Sequence, residues 1–197
     1  MHWTSPSFNS VTAMPSNQHS PTDILDFWFK EITPKQWWAR SDEFDQLIAA
    51  RYGALLDAAA RCELHAWRAT AAGRLAEIIV LDQFSRNIHR DLPAAFANDA
   101  LALALAQTAV AIGADRELDS VQRAFLYMPY MHSESPMIHA LAVELFSQPG
   151  MESNLDFELR HKAIIDRFGR YPHRNALLGR RFTAEEIEFL KTPGSSF

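Results

Sequence analysis

Helix-start signals recur along this chain, each followed by apolar residues at helical spacing, and they restrict the fold more than any other feature. Thr33-Pro34 and Ser135-Pro136 each place a hydroxyl residue before a proline. Proline costs nothing at the first helical position, because its missing N–H would be unpaired there anyway. The run TAEE (183–186) has the reciprocal capping pattern, in which hydroxyl and carboxylate each serve the other residue's backbone N–H. Thr22 can cap DILDFWFK, and Ser41 a longer helix with Phe44, Leu47, Ile48, Tyr52, Leu55 and Leu56 on one stripe. Asn154 can start LDFELRHKAIIDRF, and Gly113 and Gly169 stand where helices should stop. The run LALALAQTAVAIG alternates as a strand would, yet it is long and alanine-rich, so a helix is predicted. Glycine is scarce and β-branched runs are few. The expected fold is all-α and a single domain, with short connections that favour antiparallel neighbours.

The chain has 197 residues, 48% hydrophobic and 22% charged, enough for one substantial core. Its net charge of −5 argues against a general nucleic-acid binder. A lone cysteine, Cys62, supports neither an intrachain disulfide nor a cysteine-rich zinc site, so a reducing cytoplasm is the simplest compartment. Residues 1–21 have no basic n-region and no apolar h-region; they read as a disordered leader to a helical domain over 22–197. No continuous apolar run reaches the roughly 18 residues that a bilayer requires, so no membrane span is expected. P-loop, GxGxxG, GxSxG and HExxH patterns are absent, and neither a cofactor nor a metal is assigned.

Polar residues interrupt the apolar elements in a few places. On a wheel of Leu75 to Arg90, one face runs Leu75, Ile78, Ile79, Asp82, Arg86, His89, and the opposite face is also apolar. Such a helix is expected to be central, with Asp82 and Arg86 paired as i, i+4 neighbours. In LYMPYMHSE (126–134), Pro129 sits inside a core helix, deletes one N–H and frees the carbonyl of Phe125. It should bend the helix just before His132 and Glu134. Between Arg160 and Arg181 seven Lys or Arg face one acid, Asp166, a local charge of +6. Pro172 should force Tyr171 extended and present His173, Arg174 and Asn175 on a corner, with Asn175 capping a short helix. Phe84, Phe125, Met128, Leu141, Phe157 and Ile164 are expected in the core.

The words LDQFSRNIHR (81–90), RAFLYMPYMHSES (123–135), FGRYPHRNALLGR (168–180) and TAEEIEFL (183–190), in this order and spacing, resemble the bacterial domain-of-unknown-function family DUF924. The resemblance covers about residues 21–197. It implies a tetratricopeptide-like arrangement of paired antiparallel helices and carries no established activity. Its motif residues fall here on Asp82, Gln83, Arg86, Asn87, Arg123, Tyr127, His132, Glu134, His161, His173, Arg174 and Asn175. Ser85 stands where the family often has proline, and SPMIH after Glu134 lacks the family's common acid-plus-glutamine pair.

Two functions are therefore weighed. The first is a binding module whose polar, partly basic cleft takes an acidic peptide or a small anionic ligand. Asp82, Arg86, Arg123, Tyr127, His132, Glu134, His161, His173, Arg174 and Asn175 are its candidate ligand-binding residues. The alternative is an enzyme in which His132 and Glu134, with His161 or His173, perform acid–base or metal-assisted chemistry. A purely structural or assembly role is a third reading. Burying so many polar groups separately would be costly. At least four of Arg86, Arg123, His132, Glu134, His161 and Arg174 should therefore share one polar cluster, with Glu134 paired to His161, Arg123 or Arg174.

Overall fold

The computed structural model describes residues 19–196, and among these every regular element is helical. The α-helices are α1 (Pro21–Asp26), α2 (Pro34–Trp38), α3 (Asp42–Ala60), α4 (Ala71–Ile79) and α5 (Ser85–Ile88). They continue as α6 (Asp99–Ala111), α7 (Ser120–Met131), α8 (Pro136–Phe146), α9 (Glu152–Phe168) and α10 (Ala184–Phe189). In the second half of the chain α6 packs on α7, α7 on α8 and α8 on α9. This order is compatible with the tetratricopeptide-like pairing implied by the resemblance.

The local signals act largely as physics dictates. Thr33 and Gln36, and Thr183 and Glu186, form reciprocal caps. Gly113 and Gly169 end their helices at φ +74° and +70°, a region that costs a side-chain-bearing residue energy. The first cap is Ser20 rather than Thr22: Ser20 Oγ accepts from Asp23 N, and Asp23 Oδ2 accepts from Ser20 N at 2.7 Å. His19 Nε2 lies 3.0 Å from the Arg51 carbonyl oxygen, so the ordered domain already includes 19–21. The rest of the expected leader, residues 1–18, lies outside the described residues. Likewise α9 starts at Glu152, not Asn154.

The central element is α4 with its continuation. Leu75, Ala76, Ile78, Ile79, Val80, Leu81 and Phe84 are fully buried. A π-helical turn, Val80–Phe84, joins α4 to α5, and a second one, Phe27–Glu31, follows α1. A π turn inserts an extra residue into the helical path and is common where a helix serves a site. Phe27, Trp28, Tyr52, Phe84 and Phe125 pack ring against ring across these two turns, with centroids 4.9–6.0 Å apart.

Two core expectations fail, both on α8 and α9. Leu141 is 42% and Phe157 is 53% exposed. The inward face of α8 is instead His139, Ala142 and Phe146, and that of α9 is Glu158, His161, Ile164 and Ile165. Both helices bury polar residues, so their apolar stripes did not mark the inner face. Phe84, Phe125, Met128 and Ile164 are buried as expected. The helical stretch Pro93–Ala111 is long and apolar enough to cross a bilayer by length and composition. It is interrupted by Asn98, Asp99 and Gln107, which is why no continuous apolar run marks it in the sequence. In the fold it packs on α4 and α7.

Candidate functional site

The polar residues that interrupt the apolar pattern gather at one end of α7. Pro129 lies within α7, and the helix bonds resume beyond it, His132 N to Met128 O at 3.0 Å and Ser133 N to Tyr130 O at 3.2 Å. The chain then leaves the helix, and Ser135-Pro136 starts α8. Pro129, His132, Ser133 and Glu134 thus form one wall of a cleft of about 410 Å³. The other walls are Pro93, Phe96, Ala97, Asp99, Ala100 and Leu103, from the start of α6 and the turn before it, and Arg174, Leu178 and Arg180.

Behind His132 lies the π turn. The His132 Nδ1–H donates to Asp82 Oδ1 across 2.7 Å, and Gln83 Nε2 donates to Asp82 Oδ2 at 2.7 Å. Arg86 Nη1 stands 3.1 Å from Asp82 Oδ1, the i, i+4 pair expected from the sequence. Asp82 is 1% exposed. Burial alone would raise its carboxyl, but Arg86 and His132 overcome this and hold it well below the usual carboxylate range. Burial, and then the charge of Arg86, lower the His132 imidazole against the pull of Asp82. A neutral ring whose Nδ1–H is fixed on Asp82 keeps a lone pair on Nε2. That nitrogen makes no hydrogen bond among the described residues, while the ring lines the cleft.

Asp99, the first residue of α6, joins two guanidinium groups. Arg86 Nη2 donates to its Oδ2 at 3.1 Å, and Arg174 Nη1 donates to the same oxygen at 3.2 Å. Arg174 is 5% exposed and lies over the rings of Phe96 and Tyr171, 4.5 and 4.6 Å from their centroids. Its Nε is buried without a hydrogen-bond partner among the described residues. Burial and the neighbouring Arg86 lower its pKa, a mark of a cation short of compensation.

Glu134 has a different partner from those expected. It is held by Arg180, Nη1 to Oε1 at 2.9 Å and Nη2 to Oε2 at 2.7 Å, and by the Tyr171 N–H at 2.8 Å. Burial opposes ionisation of Glu134, and these donors overcome it, so its pKa is lowered. The local backbone explains the geometry. Tyr171, ahead of Pro172, is extended at φ −89°, ψ 106°, as predicted, and this turns its N–H toward Glu134. Asn175 does not cap a helix. Its carbonyl accepts from Arg180 N at 2.8 Å, and Gly179 sits at φ +64°, closing a turn that aims Arg180 at Glu134.

The ten candidate residues therefore divide. Asp82, Arg86, His132, Glu134 and Arg174 surround the cleft or stand directly behind its wall. Of the six residues expected to share one cluster, Arg86, His132 and Arg174 are joined through Asp82 and Asp99, while Glu134 lines the same cleft but pairs with Arg180. His161 and His173 lie against Tyr171, ring centroids 5.9 and 5.6 Å away, and Asn175 is fully buried. His161 Nδ1 donates to the Phe157 carbonyl at 2.7 Å, and burial lowers its pKa to about 3 and that of His173 to about 4. Arg123 and Tyr127 belong elsewhere: Arg123 bonds Gln148 at 3.0 Å, and Tyr127 donates to Asp115 Oδ2 at 2.6 Å. On a continuous helical wheel they would share a line with Glu134, 11 and 7 residues on, but α7 ends at Met131 before that line reaches it.

The pairing of His132 with Glu134 imagined for acid–base chemistry is replaced by His132 with Asp82. Among the described residues, no group of three or more His, Cys, Asp or Glu side chains is placed to hold one metal ion. The cleft is also not simply basic. Most of the +6 stretch is paired: Arg160 with Asp156, Lys162 with Asp166, Arg167 with Glu185, Arg170 with Glu186 and Arg180 with Glu134. Asp99, Phe96 and Arg180 were missed as site residues. Asp99 reads in the sequence as an ordinary acid in a first helical turn, and Arg180 as one of seven like charges.

Over residues 24–194 the chain matches the family described as bacterial protein of unknown function (DUF924). The solved structure of the protein of unknown function ATU0120 from Agrobacterium tumefaciens has the same fold, with a TM-score of 0.83. It is 37% identical, and the likeness covers 87% of this chain and 96% of that one. No curated protein matches. The words that carried the resemblance build the cleft and its supports, LDQFSRNIHR the wall behind His132 and FGRYPHRNALLGR the arginine side. With the family matched over most of its length, the chain belongs to the DUF924 family of bacterial proteins.

Proposed function

We propose that the cleft binds a small anionic molecule, a carboxylate or a phosphate monoester with an apolar body, and that Arg174 receives the anion. The observation that carries this reading is the state of Arg174. It is a buried guanidinium with one hydrogen bond among the described residues, to Asp99 at 3.2 Å, and a buried Nε without a partner. A guanidinium has five donors, and leaving them unpaired in a buried site is costly. An anion entering the cleft would supply the missing acceptors. Phe96, Leu103, Pro129 and Leu178 supply apolar wall for the rest of the molecule. A volume of about 410 Å³ suits a small ligand better than a helix or a strand of peptide. The exposed lone Cys62 supports a reducing, cytoplasmic setting.

The test is thermal unfolding in the presence of a panel of small mono- and dicarboxylates and phosphate monoesters. A ligand that binds only the folded state stabilises it by about 2.7 kcal/mol at a hundredfold excess over Kd. At least one panel member should raise the midpoint of the natural protein and not that of Arg174→Met. Arg167→Met, which removes a guanidinium paired with Glu185 away from the cleft, should keep the shift. Equal shifts in Arg174→Met, or none with any member, would refute the reading.

A further inference from the structure

We propose that His132 is the proton acceptor of a reaction carried out in this cleft, with Asp82 as its positioning residue. The substrate class is a small anion with an acidic C–H or O–H bond. The proposal rests on reading the cleft as a ligand site and adds a chemical role to it. Its geometry is that of an oriented imidazole. Asp82 takes the Nδ1–H at 2.7 Å and is itself fixed by Gln83 Nε2 at 2.7 Å and by Arg86. The ring can therefore present Nε2 only with its lone pair, and His132 is one of the residues that line the cleft. A buried carboxylate behind a histidine fixes its tautomer and stabilises the imidazolium that forms.

The charges around the ring fit the step. On His132 act Asp82 from the π turn, Arg86 from α5 and Asp99 from α6, while His161 from α9 is near enough to interact. In the step, the Nε2 lone pair takes the proton and the electron pair of the broken C–H or O–H bond stays on the substrate. The new negative charge forms beside Arg174, and the new imidazolium charge is balanced by Asp82. The imidazolium then gives the proton back to a different atom of the same substrate, where the retained electron pair, delocalised to that atom, forms the new bond to hydrogen, so no other reactant is needed. An oriented general base of this kind contributes about 10²–10⁴-fold in rate.

A contrast within the molecule supports the assignment. His139 also faces a carboxylate, Glu158, across 2.6 Å, but its Nε2 is 2.8 Å from the Ser133 carbonyl oxygen, and both side chains are fully buried. No lone pair is left for a substrate there. The cleft is where the same pairing leaves one nitrogen available.

The test uses 5-nitrobenzisoxazole, whose ring opening reports a base in an apolar cleft. The base takes the ring C–H proton, the C–H electron pair forms the nitrile, and the N–O bond breaks to leave a coloured phenolate. The natural protein should turn it over, His132→Gln and His132→Asn should be slower by about 100-fold, and Asp82→Asn should be slower with its pH–rate profile displaced to lower pH. A merely structural Asp82 would not move that profile. Circular dichroism of each variant separates loss of base from loss of fold. No turnover by the natural protein, or turnover unchanged in both folded His132 variants, would overturn the proposal. If anions still stabilise the protein in that case, the binding reading survives without it. If turnover depends on His132 but no anion binds, the base stands and the anion reading falls.

Discussion

Two histidine–carboxylate pairs sit a few residues apart in this protein, and they serve different ends. Asp82–His132 closes at 2.7 Å and Glu158–His139 at 2.6 Å, so contact geometry does not distinguish them. The difference lies in the second ring nitrogen and in access. His139 is sealed between α8 and α9, with Nδ1 toward Glu158, and Nε2 beside the Ser133 carbonyl and 3.2 Å from the Tyr171 hydroxyl. His132 is 15% exposed, at the end of its helix, beside a cleft. A histidine bonded at both nitrogens ties elements together, here α8 and α9 to the turn that carries Glu134. One that keeps a nitrogen without a hydrogen bond among the described residues, on a residue that lines a cleft, can act on something else. Burial of a charge pair therefore says little about function until the remaining valences are followed.

The sealed pair gives the largest expected effect. Glu158→Ala removes one partner of a fully buried pair and should cost about 3–5 kcal/mol, read from the denaturant midpoint. Burial raises the pKa of Glu158. In its protonated form Glu158 donates to His139, and Glu158→Gln, which can donate likewise, should cost clearly less than the alanine change. A loss below about 1 kcal/mol in Glu158→Ala would mean that the sealed pair is not what joins α8 to α9.

A second effect separates the neutral histidines behind Tyr171 from the cleft. His161 and His173 have folded pKa values of about 3 and about 4, against 6.5 for the unperturbed group. Below that value the unfolded chain takes up protons that the folded protein refuses. Stability is therefore greatest above about pH 6.5 and falls as pH drops toward 4, by on the order of a few kcal/mol near pH 5. Unfolding midpoints measured from pH 7.5 to pH 4.5 check this, and His161→Gln should flatten the fall. A curve without slope over that window would place these rings in solvent.

The smallest effect belongs to the open pair. His132→Gln can still donate to Asp82, which also keeps Arg86 and Gln83. Its stability cost should be about 0.5–1.5 kcal/mol, that of one ordinary hydrogen bond. A loss as large as that of Glu158→Ala would erase the contrast between the two pairs and make His132 a structural residue.

Much of the fold was legible in the sequence because helix ends are local. Thr33-Pro34, TAEE, Gly113 and Gly169 act through groups within a few residues of themselves, and a chain that carries their side chains carries their effect. The Asp82–Arg86 pair and the extended Tyr171 before Pro172 were local in the same sense. What the sequence did not reveal depends on contacts between distant segments. Asp99 became a bridge only when α6 brought it between Arg86 and Arg174, 13 and 75 residues away. Glu134 could have met any of several cations, and the turn closed by Gly179 decided for Arg180, 46 residues on. Leu141 and Phe157 turned outward because His139 and Glu158 were drawn inside by each other, across two helices, and His161 by the ring of Tyr171, contacts that no single helical wheel contains. The sequence by itself determined where helices begin and end and which residues could carry charge into the interior. The tertiary structure alone decided which of those charges are sealed, which are paired, and which histidine lines the cleft, because a buried polar group takes the partner that folding brings within reach.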